Sequence, residues 1–155
     1  MYRDYKDYAG EVDHSLLILQ LEHDYDGFCL HTASVTLPQV LRHLTCDYRI
    51  MAWVKPFAAF KANVSVAYAW EPVIVKACRK PVVKPGMTYR DWVASPITMQ
   101  KGLVGAKPAT VCRWLFEVMG CQPDDELVDL FPGTGAIGEA WEAWRRQLNL
   151  LTESV

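Results

Sequence analysis

The sequence predicts an α/β fold in which helices pack on a sheet. Three observations carry that expectation. Apolar stripes at helical spacing alternate with short runs of β-branched and bulky residues. Two of those runs, Tyr48 to Val54 and Tyr68 to Lys76, follow each other with no helix between them, which predicts antiparallel pairing at the edge of the sheet. Near the other end, Glu126-Leu-Val-Asp-Leu-Phe-Pro-Gly-Thr-Gly-Ala-Ile-Gly138 reads as a buried strand, a tight glycine turn and the start of a helix.

At 155 residues and 51% apolar content, the chain predicts one packed domain, 1–155. Its formal net charge of -2 gives no bulk electrostatic case for nucleic acid and leaves only a local basic patch. Such a patch would run through Lys55, Lys61, Lys76, Arg79, Lys80 and Lys84, although a solvated loop face is the plainer reading. Cys29, Cys46, Cys78, Cys112 and Cys121 are odd in number and form no CxxC pair. They predict reduced thiols, mostly buried as small apolar residues, in a cytoplasmic setting. His14, His23, His31 and His43 have no metal-ligand spacing, so no metal is expected. No apolar run is long enough to span a bilayer and the first residues lack a signal-peptide core, so no membrane role is expected.

Residues 1–10 alternate tyrosines with charges and predict a solvated arm. Asp13 caps a helix to about Asp24, with Leu16, Leu17, Ile18, Leu19 and Leu21 supplying a largely buried face. Asp26-Gly27 turns the chain into a short strand, Phe28 to Thr32. Thr36-Leu-Pro-Gln39 predicts a capping box with proline in the first helical position, opening a helix to about Leu44. The strands Tyr48 to Val54 and Tyr68 to Lys76 follow, and Pro72 argues that the second lies at an edge or carries a bulge. A long loop then runs from about Arg79 or Lys80 to Ala106, with Trp92 inside it and expected to be shielded from water. Lys107-Pro108 opens a helix to Met119 whose stripe is Val111, Leu115, Val118 and Met119, and Gly120 stops it. The last helix carries Trp141 and Trp144.

Gly133-x-Gly135-x-x-Gly138 fits a dinucleotide fingerprint, but no second strand ending in an acid follows. A P-loop is excluded because no Gly-Lys-Ser/Thr follows the turn. Two readings of the turn stay open: a nucleotide-binding edge at a helix N-terminus, or a tight turn that only permits close packing.

The flanks add a resemblance. Lys107-Pro108 with its amphipathic helix, Pro123-Asp124 and Val128-Asp-Leu-Phe-Pro-Gly-Thr-Gly135 resemble the carboxy-terminal half of amino-methyltransferases acting on DNA, of phage or bacterial type. Trp53-Val-Lys55, Trp70-Glu-Pro-Val-Ile-Val75 and Arg79 are similar to that family's late strands, and Asp26-Gly-Phe-Cys-Leu30 to the strand before them. The likeness covers nearly the whole chain in a permuted order, with the cofactor loop near the carboxy terminus. It implies a Rossmann-like methyltransferase-type sheet with flanking helices and an incomplete set of strands. It also implies S-adenosylmethionine as cofactor, bound by Lys107, Pro108, Asp129, Phe131, Gly133, Thr134 and Gly135. Lys107 would lie near the cofactor's carboxylate, Asp129 near its cationic groups, and Phe131 would wall the site.

Two features of the family's pattern are missing. The catalytic Asp/Asn/Ser-Pro-Pro-Tyr/Phe/Trp tetrapeptide, which in the family holds the flipped base, does not occur in this sequence. In the permuted order it belongs just before Tyr2. The ribose-binding acid on a further strand is also missing. Catalytic residues are therefore unassigned; Glu11, Asp13 and His14 are the nearest polar residues to the missing signature. The expectation is a truncated or degenerate DNA adenine or cytosine amino-methyltransferase-like protein. The alternative is a non-enzymatic phage protein that uses the remnant fold to bind a protein or nucleic acid, such as an inhibitor of a host defence complex. In either case DNA, or a protein that completes or replaces the site, is the expected partner.

Overall fold

A computed structural model describes residues 12–57, 63–97 and 106–152. The tyrosine-rich arm, Glu11, Lys61 and part of the long loop lie outside the described residues. The elements in chain order are α1 (His14–Asp24), β1 (Phe28–His31), α2 (Leu37–Leu41), β2 (Arg49–Val54), β3 (Trp70–Lys76), β4 (Trp92–Ala94), α3 (Ala109–Val118) and α4 (Ala136–Thr152). The strands form one four-stranded mixed sheet in the order β1-β3-β2-β4. β3 is antiparallel to both β1 and β2, and β4 runs parallel to β2.

The period of the strands divides the core in two. Met51, Trp53, Val73 and Val75 face α3 and meet Val111, Trp114, Leu115 and Val118. On the opposite face Phe28 and Ile74 meet Leu17, Ile18 and Leu21 of α1 and Val40 of α2. α4 packs on α3, where Phe116, Trp141 and Trp144 form an aromatic cluster with Cys112. The two tryptophans stack with ring centres 5.1 Å apart, and Phe116 meets Trp141 edge-on at 5.0 Å.

Most helix boundaries follow from local chemistry. Asp13 accepts from the Ser15 and Leu16 backbone N–H groups at 2.9 and 3.3 Å, which caps α1. α3 ends in a Schellman motif: Cys121 N–H bonds to Phe116 O, Gly120 N–H bonds to Glu117 O, and Gly120 takes φ +71°. Glu22 ties α1 to the loop before β2. Its carboxylate accepts from the Thr45 hydroxyl and from the Thr45 and Cys46 N–H groups. Those bonds, the Thr45 hydroxyl first, hold its carboxyl down to about 2.

Several expectations need correction. β3 is a central strand, not an edge strand, although Pro72 is fully buried in it. The bonds Lys55 N–H to Ala69 O and Thr32 N–H to Pro72 O set the parity, so odd residues of β3 bond to β2 and even residues to β1. The donor that Pro72 lacks would therefore face Thr32, just past the end of β1, and costs the sheet little. The long loop contains β4, whose N–H and C=O groups bond to β2 on the side that β3 leaves free. Trp92 is 42% exposed with the Arg90 guanidinium over its ring.

Thr36 forms no capping box. Its hydroxyl bonds to Ala33 O and to the Thr32 hydroxyl, and Pro38 stands inside the short α2. Leu16 and Leu19 of α1 are exposed, because only Leu17, Ile18 and Leu21 reach the sheet. Of the five free cysteines only Cys112 is buried. The expected strand from Leu127 to Phe131 is also absent, since that segment pairs with no described strand. Its apolar residues divide instead: Leu127 packs on the α3–α4 cluster and Leu130 on the α1–β1 cluster, while Val128 and Phe131 are exposed.

Two glycines give opposite predictions. A Cβ at Gly27 would lie 2.5 Å from the Cys78 backbone nitrogen, so Gly27→Ala should lower stability by about 1–3 kcal/mol in urea unfolding. Gly138 sits in the first turn of α4 with nothing within 4 Å of its missing Cβ, so Gly138→Ala should raise stability by about 0.5–1 kcal/mol.

Candidate functional site

The chain's polar chemistry gathers at one end of the sheet. Glu71, at the start of β3, is an acid in a strand whose next four residues are buried. Three side chains from three elements converge on it. Lys55, just after β2, donates to Oε2 at 2.7 Å; Lys107, just before α3, donates to Oε1 at 2.6 Å; and His31, ending β1, lies with Nδ1 2.8 Å from Oε1. All four side chains are less than a fifth exposed. Beneath them lies Trp53, with Lys55 Nζ 4.5 Å and Lys107 Nζ 5.2 Å from its ring centre and His31 edge-on at 6.4 Å. Trp53 Nε1 donates to Ser95 O at 2.8 Å, so the ring is fixed from behind.

The electrostatics follow from this geometry. Burial opposes the charge on Glu71, but the His31 hydrogen bond and the Lys107 and Lys55 ammoniums outweigh it and hold the carboxyl far below its usual range. Burial lowers the His31 pKa, only partly offset by the Glu71 hydrogen bond, so the ring is neutral at pH 7. A carboxylate only accepts, so the His31 proton sits on Nδ1 and Nε2 is left with a lone pair. That Nε2 is buried and has no hydrogen-bond partner among the described residues. Two ammoniums, one carboxylate and a neutral imidazole give these four side chains one net positive charge.

Lys107 also borders a hollow of about 230 Å³ shaped by Phe131, Pro132, Gly133, Thr134 and Ile137. The loop that forms it is locally determined. Asp129 Oδ1 accepts from Phe131 N–H at 3.1 Å, Gly135 N–H bonds to Pro132 O at 2.7 Å, and Glu139 N–H bonds back to Gly135 O as α4 begins. Gly133 and Gly135 take φ +48° and +78°, where a side chain is strained. No atom lies within 4 Å of a Cβ built on Gly135, so the turn is open on its outer side. The hollow is smaller than the ~300–1,000 Å³ that encloses a drug-sized ligand, and it suits part of one.

The structure thus brings Lys107, Phe131, Gly133 and Thr134 to one hollow. Pro108, Asp129 and Gly135 do not line it: Pro108 is the N-cap of α3, Asp129 Oδ1 accepts from the Phe131 N–H, and Gly135 shapes the turn. A second hollow, of about 200 Å³, is also bordered by Phe131, together with His14, Leu30, His31, Thr32 and Val40. Asp13 caps its helix and does not border it. Of the candidate basic route, Lys55 and Arg79 are paired with Glu71 and Asp125, Lys76 donates to Tyr25 O, and Lys61 is outside the described residues. Away from this end of the sheet, Cys78, Cys121 and Asp125 bring ligand-type atoms within 4.8 Å of one another. Among the described residues no helix is long and apolar enough to cross a membrane.

Sequence reasoning did not single out Glu71, His31 and Lys55 as a group. The signal was an acid leading into Pro-Val-Ile-Val, a setting that demands counter-charges. No protein-family model, curated protein or solved structure matches this chain.

Glu71→Gln should cost about 2–3 kcal/mol in chemical unfolding, somewhat less than the ~3–5 kcal/mol for a fully buried pair, because it strands two ammoniums. The pH dependence has a fixed sign. The His31 pKa lies below the ordinary histidine value of 6.5 and the Glu71 pKa below the ordinary glutamate value of 4.5. Both groups therefore bind fewer protons folded than unfolded, and stability falls with acid, first below pH 6.5 and again below pH 4.5. Glu71→Gln should make the second decline shallower.

Proposed function

We propose that the chain is an S-adenosylmethionine-dependent DNA amino-methyltransferase-like protein that binds its cofactor at the Phe131–Gly135 turn and lacks the family's usual base-holding group. One observation carries this reading: Lys107 and the glycine turn border a common hollow at the N-terminus of the 17-residue α4. The ligand's chemistry fits that place. Its carboxylate meets a helix N-terminus and a lysine in a cluster with one positive charge to spare. The Lys107 ammonium has three donors and gives one to Glu71, so Glu71 aims it without exhausting it. Phe131, 56% exposed, offers its ring to the adenosine moiety or to the sulfonium.

Transfer of the methyl group to an exocyclic nitrogen needs acceptors that hold the amino group in line with the sulfonium. In the family the tetrapeptide supplies them, and this sequence contains no Pro-Pro pair. A second reading is favoured by a separate observation. The outer edge of β1 pairs with no described strand, and Leu127–Phe131 is unpaired as well. A sheet edge of that kind accepts a strand from another chain. The second reading is thus a non-enzymatic, phage-type protein that binds a protein partner; the pairing of Lys55 and Arg79 with carboxylates favours protein over nucleic acid.

Calorimetric titration with S-adenosylmethionine tests the first reading. Saturable one-to-one binding is expected, weakened on the order of tenfold by Gly133→Ala and by Asp129→Ala, which unseat the turn. A parent chain that takes up no cofactor would sink the proposal. Tritiated methyl transfer to DNA should be at background. Robust labelling would mean that other residues hold the base, and salt-independent or absent DNA affinity would favour the protein-binding reading.

A further inference from the structure

A seam at the opposite end of the sheet joins the chain after β3 to the chain after α3. Met119 O accepts from both Cys78 and Arg79 N–H, at 3.2 and 3.4 Å, and Arg79 Nη1 donates to Gly120 O at 2.9 Å. Gly27 packs against Cys78 from beneath, with no room for a Cβ. The two segments are thus held by backbone bonds and a helix stop, a rigid base for a site. On it stand Cys78, Cys121 and Asp125, all partly buried, with Sγ, Sγ and a carboxylate oxygen all within 4.8 Å of one another.

We propose that Cys78, Cys121 and Asp125 form a site for a thiophilic divalent cation, with Zn²⁺ as the best match. Thiolates select zinc over the hard cations, and three protein ligands with one water complete a tetrahedron. With metal–ligand bonds of about 2.0–2.3 Å, the ligand atoms of such a site lie on the order of 3.5–3.8 Å apart. The three groups need to close by roughly 1 Å from their present limit. Asp125 has the capacity. Its Oδ2 accepts from Arg79 Nη1 and Gln122 N–H, while its Oδ1 accepts from Arg79 Nη2 and keeps a lone pair. Arg79 then holds the carboxylate from behind, as outer partners of ligating carboxylates do.

Charge closes the argument. Two thiolates and a carboxylate carry three negative charges, and the cation with Arg79 carries three positive ones. Binding releases two thiol protons, one from each cysteine, and the Cys78 proton leaves Met119 O, to which it is now donated at 2.9 Å. Each thiol must give up its proton before its sulfur can ligate the cation. Affinity therefore rises with pH.

The test uses the full chain, reduced and freed of metal, titrated with Co²⁺. A single equivalent should produce the visible bands of tetrahedral cobalt with a thiolate-to-cobalt charge-transfer band, and one equivalent of Zn²⁺ should erase both. Cys78→Ser and Cys121→Ser should each reduce the charge-transfer band by about half or more, and Asp125→Asn should weaken Co²⁺ binding at least tenfold while keeping the band. A reduced parent chain that gives no charge-transfer band overturns the proposal. So does a band that survives Cys121→Ser undiminished, since the metal then sits elsewhere.

Discussion

The Glu71 carboxylate is the constraint on which one end of this molecule depends. It lies in the central strand of the sheet and is reached by a lysine after β2, a lysine before α3 and a histidine at the end of β1. None of these groups would hold its present place alone. Lys55 and Lys107 sit close together over one indole and would repel each other without the carboxylate. Burial of Glu71 without them would cost several kcal/mol. The assembly joins four chain segments and fixes where α3 begins relative to the sheet. It also determines the state of His31, because the bond at Nδ1 chooses the tautomer that leaves Nε2 as an acceptor.

Where structure is local, the sequence revealed it. Asp13 sits next to the N–H groups it caps, Gly120 supplies the left-handed residue that ends α3, and Gly133 and Gly135 supply it in the turn. The antiparallel relation of β2 and β3 was also legible, since no helix separates them. Placement in the sheet was not. Whether Pro72 demands an edge depends on which neighbour its missing donor would face, and that parity is set by register, which only the pairing reveals. Likewise β4 is three residues inside a long irregular stretch, and its existence depends on the free side of β2.

The segment from Leu127 to Phe131 shows the limit of composition as a guide. Its residues are apolar enough for a buried strand, and a strand was the natural expectation. A strand, however, is a relation to a neighbour, and no described strand lies beside this one. Local bonds from Asp129 and Pro132 occupy its end instead. The glycine turn kept its geometry without the strand because positive φ at Gly133 and Gly135 and the first bond of α4 are sufficient to define it. The candidate site was therefore readable as a turn and unreadable as a pocket. Lys107 was visible in sequence, but its partner Glu71 lies 36 positions away.

Phe131 is the residue at which these strands of argument meet. It is the common wall of the hollow beside the glycine turn and of the hollow beside His31. The first hollow has a lysine with donors to spare, whereas the second is bordered by a neutral histidine whose Nε2 is buried. Glu71 links the two, because one of its oxygens accepts from Lys107 and from His31 together. Removing that carboxylate would therefore alter a residue that borders each hollow.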